Sequence, residues 1–343
     1  LLDTKTYGTP FLVLTILLIL CFFINISLGS VLIPLKSVFN NLIGNSTGNQ
    51  SWQYIIIDYR LPKAITAIIV GSGLGISGLL MQTLFRNPLA GPYVLGITSG
   101  ASLGVAVIIM GASIFGGAVA GILTSKWSIV IAASLGSFLV LLTVLIVSTK
   151  VRDTMAILII GLMFGSITGA IISVLSYFST AEELQQFIFW RFGSLGNLSW
   201  RELLILFLIY LIGIILSVLA TKSLNTMLLG DNYAKSLGLN IKRSRLIIII
   251  ATSLLAGTIT AFAGPIAFIG LAIPHMTRQI FTTSNHKILL PAVFLLGAIT
   301  MLICDSVAQL PSSDYTLPIN AITSLVGAPV VIWLLIRKRK MMF

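Results

Sequence analysis

The chain has 343 residues, of which 57% are apolar and 9% charged, and a net charge of +12; soluble domains run at about 45–50% apolar and about 25% charged. So little charge excludes a water-soluble globule of this size, because most of the surface must face something other than water. The positive balance calls for no nucleic-acid partner, since anionic lipid headgroups beside a membrane protein account for it.

Apolar runs of about 20 residues, the length of helix that crosses roughly 30 Å of hydrocarbon, recur from end to end. Ten spans are expected, at 11–29, 62–83, 93–113, 128–148, 155–179, 200–221, 246–265, 266–283, 289–308 and 317–336. The polar–apolar alternation of a membrane barrel is missing from these runs. The first run has no basic stretch before it and no small-residue cleavage site after it, so it reads as a retained span. The seventh and eighth belong to one apolar stretch broken by Gly264, Pro265, Gly270 and Pro274, and such breaks are tolerated only where protein or water satisfies the freed backbone. The expected fold is an all-α polytopic membrane protein, a single permease-like domain over residues 1–343.

Placing the N-terminus in the cytoplasm puts 15 basic residues inside: Lys5, Arg86, Lys150, Arg152, Lys222, Lys235, Lys242, Arg243, Arg245, Arg278, Lys287, Arg337, Lys338, Arg339 and Lys340. Six remain outside: Lys36, Arg60, Lys63, Lys126, Arg191 and Arg201. The positive-inside rule then places both termini in the cytoplasm.

Enzyme chemistry finds few residues to work with. The two histidines, His275 and His286, lie eleven apart with no ligand spacing around them, so neither catalytic residues nor a metal site are expected. No Gly-x-x-x-x-Gly-Lys-Ser/Thr loop is present, so nucleotide is not bound by that route. Gly71, Gly75 and Gly78 fall at i, i+4 and i+7, one helix face cleared for close packing. Cys21 and Cys304 read as small core residues. A stand-alone secondary transporter or channel is the alternative class, but ion coupling needs titratable groups near the midplane. The spans are nearly free of them, Asp305 being the main exception and expected to bond neighbours such as Ser306 or Gln309. Energy should therefore come from a partner.

Several stretches together carry a resemblance. Arg60-Leu61-Pro62-Lys63 opens the second span, and Arg86-Asn87-Pro88-Leu89-Ala90-Gly91-Pro92 through Gly96 follows it. Leu229 to Leu239, Ala263 to His275, His286-Lys287, Leu317-Pro318-Ile319-Asn320 and Gly327-Ala328-Pro329 complete the set. Over roughly residues 50 to 340 the chain resembles the permease subunits of binding-protein-dependent importers for iron siderophores, haem and cobalamin.

The resemblance implies a coupling helix seated on an ATP-binding subunit, formed by Gly230, Asp231, Tyr233, Ala234, Lys235, Leu237 and Gly238. It implies a cytoplasmic gate at Asn87, Leu89, Thr154 and Met155, although Met155 departs from the small polar residue usual there. It also implies an outer docking rim at Arg60 and Lys63, three apart and expected to project together, with Gln309 where relatives often carry a third cation. The partners implied are a second permease chain, two ATP-binding subunits and an extracytoplasmic solute-binding protein, in the cytoplasmic membrane of a bacterium. No cofactor is expected on this chain; ATP and magnesium would sit on the ATPase, and the metal chelate would be cargo. A ferric siderophore is the favoured cargo, with haem or cobalamin as alternatives. The similar Gly-Pro breaks at 91–97 and 264–271 suggest an inverted repeat relating 62–179 to 246–336.

Overall fold

A computed structural model describes residues 7–44, 49–115, 121–122, 124–150, 154–310, 313 and 315–336. All of its regular elements are helical. In chain order they are α1 (Gly8–Ser27), α2 (Leu35–Leu42), α3 (Gln50–Tyr54) and a π-helical run (Ile55–Arg60) leading into α4 (Leu61–Phe85). A short 3₁₀ turn (Pro92–Leu95) precedes α5 (Ile97–Phe115), followed by α6 (Lys126–Lys150), α7 (Thr154–Phe178), α8 (Ala181–Phe192) and α9 (Trp200–Leu219). The remainder comprises α10 (Thr221–Met227), α11 (Asp231–Ser236), α12 (Ile241–Ala263), α13 (Ile269–Ile280), α14 (His286–Ala308) and α15 (Ile319–Ile336).

Seven of these helices are long and apolar enough to cross a bilayer, and α5 and α15 are apolar over Ile97–Ala112 and Ile319–Trp333. The chain is a multi-pass membrane protein. The interrupted stretch is corrected in one respect. In place of a full span at 266–283 stands α13, whose 12 residues reach only about 18 Å at 1.5 Å per residue. Likewise the third span is helical only from Ile97, because 91–96 is taken up by the 3₁₀ turn.

The bundle is organised around α4, which is buried along almost its whole length and packs on α9, α12, α13 and α14. Its glycine face explains how. A Cβ at Gly71 would strike the Gly297 carbonyl of α14, and one at Gly78 would strike the Gly270 carbonyl of α13. The second contact has a covalent origin. Pro274 lacks the N–H that would hold the carbonyl four residues earlier, that of Gly270, which therefore leans onto α4. The same device joins α5 to α6, where a Cβ at Gly100 would meet the Gly136 carbonyl. Without a hydrophobic drive between helices in lipid, such close backbone packing is what binds them.

Capping boxes fix the start of the short helix α8 and of the span α9 that follows it. Thr180 and Glu183 form a reciprocal capping box that starts α8, and Ser199 and Glu202 form another that starts α9. Adding a methyl group where the backbones touch should cost about 1–3 kcal/mol. Thermal unfolding of the detergent-purified protein is expected to show a lowered midpoint for Gly78→Ala. Gly111→Ala, where a Cβ meets nothing within 4 Å, should leave it unchanged or raise it slightly.

Candidate functional site

At one end of the bundle, α10 turns through Gly230 (φ +105°) into α11, and Gly238 (φ +82°) turns the chain out toward α12. Both glycines hold a left-handed backbone that other residues rarely adopt. Between them α11 has two distinct faces. Leu229, Tyr233 and Leu237, four residues apart, are each 60% exposed, whereas Ala234 is fully buried against its own chain. This corrects the expectation for Ala234, which does not face a partner. Tyr233 and Leu237 do face outward, continuing with Leu229 an apolar row of the kind a groove receives, and Lys235 is exposed beside it. Asp231 accepts hydrogen bonds on both carboxylate oxygens, from Arg86 at 2.6 Å and from Arg245 at 2.7 Å.

Arg86 is the last link between α4 and the segment expected to gate. It sits at φ +47°, and its guanidinium also donates to the Met227 carbonyl at 3.0 Å. Beyond it, Asn87 Oδ1 accepts from the Leu89 amide at 2.9 Å, and His275 Nε2 lies 2.7 Å from the Pro88 carbonyl. A carbonyl only accepts, so the proton resides on Nε2. Leu89 is exposed at this mouth. Thr154 and Met155 begin the backbone of α7, but their side chains lie outside the described residues.

The two Gly-Pro breaks come together in the interior. A Cβ at Gly270 would meet the ring of Pro92 at 3.0 Å. Beside them opens a cavity of about 290 Å³, lined by Leu74, Tyr93, Thr98, Thr260, Phe268 and Asn320 among others. Asn320 Oδ1 accepts from the Ala267 amide at 3.0 Å, so α15 supplies the partner that the unwound backbone needs. Phe268 holds the left-handed φ of +64°, and its Cβ fits against Gly327 only because that residue has none. Such a wall has apolar and hydroxyl groups but no carboxylate or amine, and can pass a bulky ligand without trapping it by charge.

At the opposite end the expectation of a projecting cationic pair does not hold. Arg60 is 6% exposed; its guanidinium donates to the carbonyls of Ile26, Ser27 and Val31 and so caps the end of α1. Four carbonyls at a helix C-terminus lack intrahelical partners, and this arginine is recruited to them. Lys63 pairs with Asp305 at 3.1 Å, both nearly buried. Asp305 Oδ2 in turn accepts from Asn25 at 2.9 Å and from Gln309 at 2.8 Å. All three residues expected at a docking rim are thus engaged within the chain, although Lys63 still borders a cavity of about 370 Å³ shared with Tyr59, Phe189 and Phe192. The Gln309 bond to Asp305 was anticipated from the sequence. The roles of Asn25 and Lys63 were not, because they join positions hundreds of residues apart. The α8 helix that borders this cavity was missed as well, though Thr180-Ala-Glu-Glu183 spells a capping box.

Known proteins share this architecture. The sequence model of the FecCD transport family matches residues 17–337. A haemin transport permease of Yersinia pestis is 35% identical over 333 residues, covering 96% of this chain and 97% of its own. A vitamin B12 import permease of Klebsiella pneumoniae is 36% identical over 289 residues, covering 84% of each. Among solved structures, one described as a metal-chelate type ABC transporter in an inward-facing conformation superposes with a TM-score of 0.82 at 31% identity, over 96% of this chain and 100% of that one. The PsaBC structure from Streptococcus pneumoniae, at 16% identity and a TM-score of 0.54 over 88% of this chain and 95% of that one, shares the fold.

Removing one partner of a buried ion pair strands the other, at a cost of about 3–5 kcal/mol. Lys63→Met and Asp305→Leu are each expected to lower the unfolding midpoint strongly, and the double variant less than either. Thermal unfolding of the three purified variants checks this order.

Proposed function

We infer the cargo and the working cycle from one premise: the chain belongs to the FecCD transport family and is the membrane-spanning permease subunit of an ATP-binding-cassette importer. This family works with ATP-binding subunits and a binding protein. The cargo is a bulky metal chelate, a ferric siderophore in our first reading, passed to the cytoplasm without chemical change. The observation that carries this is the uncharged wall formed where the two broken segments meet. Haem is the second reading, favoured by similarity to a haemin permease along nearly the whole chain.

A second permease chain completes the passage. A cavity of about 290 Å³ lies at the lower limit of small-ligand pockets, about 300–1,000 Å³, so one chain offers only one wall for a chelate. The exposed surfaces differ in a way that supports such pairing. The spans of α1 and α7 are each 17% buried, yet α1 exposes Leu12, Ile16, Ile19 and Leu20, a face made for lipid. The helix α7 also exposes large apolar residues such as Met163, Ile167 and Val174, but between them it exposes Ser166, Gly169, Ala170 and Ser173, small groups that let helices approach.

Two ATP-binding subunits, holding ATP and magnesium, would seat on the exposed face of α11, and the gate would include Asn87, Leu89, Thr154 and Met155. The binding protein would dock at the α8 end. We infer ten crossings, the eighth made by the unwound 264–268 together with the short α13, with both termini in the cytoplasm as the inside excess of Lys and Arg favours; bacterial relatives support the cytoplasmic membrane of a bacterium as the location.

Two measurements test this reading. Uptake of radiolabelled ferric siderophore, haem and cobalamin is compared in cells with and without the gene. Loss of siderophore uptake alone is expected; loss of haem uptake alone would transfer the assignment to the second reading, and loss of none would remove both. In pull-downs, Tyr233→Ser combined with Leu237→Ser should weaken capture of the ATPase by about tenfold or more, since burying each such side chain is worth about 1.5–3 kcal/mol. Unchanged capture would remove α11 from the interface.

A further inference from the structure

We propose that Asp231, held by Arg86 and Arg245, transmits movement of α11 to the mouth segment 87–91, making Arg86 a positioning residue for the gate. The inference rests on the reading of α11 as the element seated on the ATPase and adds the route by which its motion leaves it.

One carboxylate joins three elements here. Its Oδ1 takes the guanidinium of Arg86, at the end of α4, and its Oδ2 takes that of Arg245, within α12. The Arg86 and Asp231 side chains are 41% and 34% exposed, and ion pairs so open to water add little to folding stability. Holding the fold together is therefore a poor explanation for the Arg86–Asp231 pair, and holding α11 in register with its neighbours is a better one, with Arg245, 12% exposed, fixing the other carboxylate oxygen to α12. Charge composition points the same way. Among the described acidic residues Asp58, Glu182, Glu183, Glu202 and Asp305 belong to the opposite end, which leaves Asp231 as the single described carboxylate amid Arg86, Lys235, Lys242, Arg243 and Arg245.

The local backbone lets α11 move and makes Arg86 respond. Gly230 and Gly238 bracket the helix with positive φ, and a Cβ at either would meet nothing within 4 Å, so two uncrowded joints flank it. Arg86 is the left-handed C-cap that ends α4, so it forms the turn from which segment 87–91 departs. Its side chain is bound to Asp231, the first residue of α11, and to the Met227 carbonyl at the end of α10. Leu89 lies three residues further on, and the same segment is tethered to α13 through Pro88 and His275. When α11 tilts, Asp231 draws on Arg86, and the turn that aims Leu89 must follow.

The test needs no knowledge of the cargo. Leu89→Cys is placed in the full-length permease within its complex with the ATPase, and inside-out vesicles are treated with a membrane-impermeant maleimide. Labelling is timed with and without ATP and vanadate, against a background carrying only Cys21 and Cys304. With Arg86 intact, labelling should change when nucleotide is trapped. In Arg86→Gly, which suits the left-handed turn and removes only the side chain, that difference should vanish although the ATPase still co-purifies; Arg86→Lys should restore part of it. An unchanged nucleotide-dependent difference in Arg86→Gly overturns the proposal, as does an absent difference with Arg86 intact. The Tyr233→Ser, Leu237→Ser variant separates the two ideas. If it still captures the ATPase, the reading of α11 fails; if capture is lost while Arg86→Gly labels as the parent does, only the transmission route fails.

Discussion

Inside hydrocarbon an unpaired amide or carbonyl costs several kcal/mol, and the irregular parts of this chain are arranged around that constraint. Pro274 frees the Gly270 carbonyl, which is pressed against Gly78 where no side chain intervenes. The turn at 264–268 leaves the Ala267 amide outside any helix, and Asn320 reaches over from α15 to accept from it. The Ala263 carbonyl is taken by the Ser194 amide at 2.9 Å. The Ala263 and Ala267 backbone groups are thus paired by other elements and the Gly270 carbonyl packs closely on α4, and these contacts bring α4, α13, α15 and the 3₁₀ turn around one cavity. A passage wall of unwound backbone can exist at that depth only because its neighbours complete it.

The two ends of the bundle use charge in opposite ways. At the α8 end Arg60, Lys63 and Asp305 are withdrawn from water and satisfied by carbonyls, an amide side chain and one another. Buried groups of this kind are costly to disturb, so this end keeps its shape. At the α11 end the pair of Asp231 with Arg86 is open to solvent, while Arg245 is largely buried on the other oxygen. Exposed pairs can rearrange at little energetic cost, which suits the end that must answer a moving partner.

Much of this was legible in the sequence, for reasons that can be named. Span length is fixed by bilayer thickness, so the long apolar runs announced themselves. Glycines repeating at 71, 75 and 78 implied a helix face for close approach, and carbonyls are found lying on Gly71 and Gly78. The Gly-Pro breaks were visible as interruptions, but that the two segments would meet was not, since they lie about 170 residues apart. Burial of charge was not legible. Arg60 and Lys63 looked exposed because they precede an apolar run, and nothing local reveals that the carbonyls of α1 or the carboxylate of Asp305 await them. Ala234 was likewise grouped with its outward neighbours, since a six-residue helix has no periodicity long enough to tell its faces apart.

The links that hold α1 bear on the order in which the protein can be built. Arg60 reaches back 34 residues to the last turn of α1, so that helix can be capped as soon as the next one enters the membrane. Asn25 must wait far longer, because its partner Asp305 lies 280 residues downstream. Throughout synthesis of the intervening helices Lys63 carries a charge whose counterpart has not yet been made, and α1 is joined to α4 but not to α14. Helix α1, inserted before α4, is therefore among the last of these to be fully locked, and it is joined to α14 only when that segment arrives beside it.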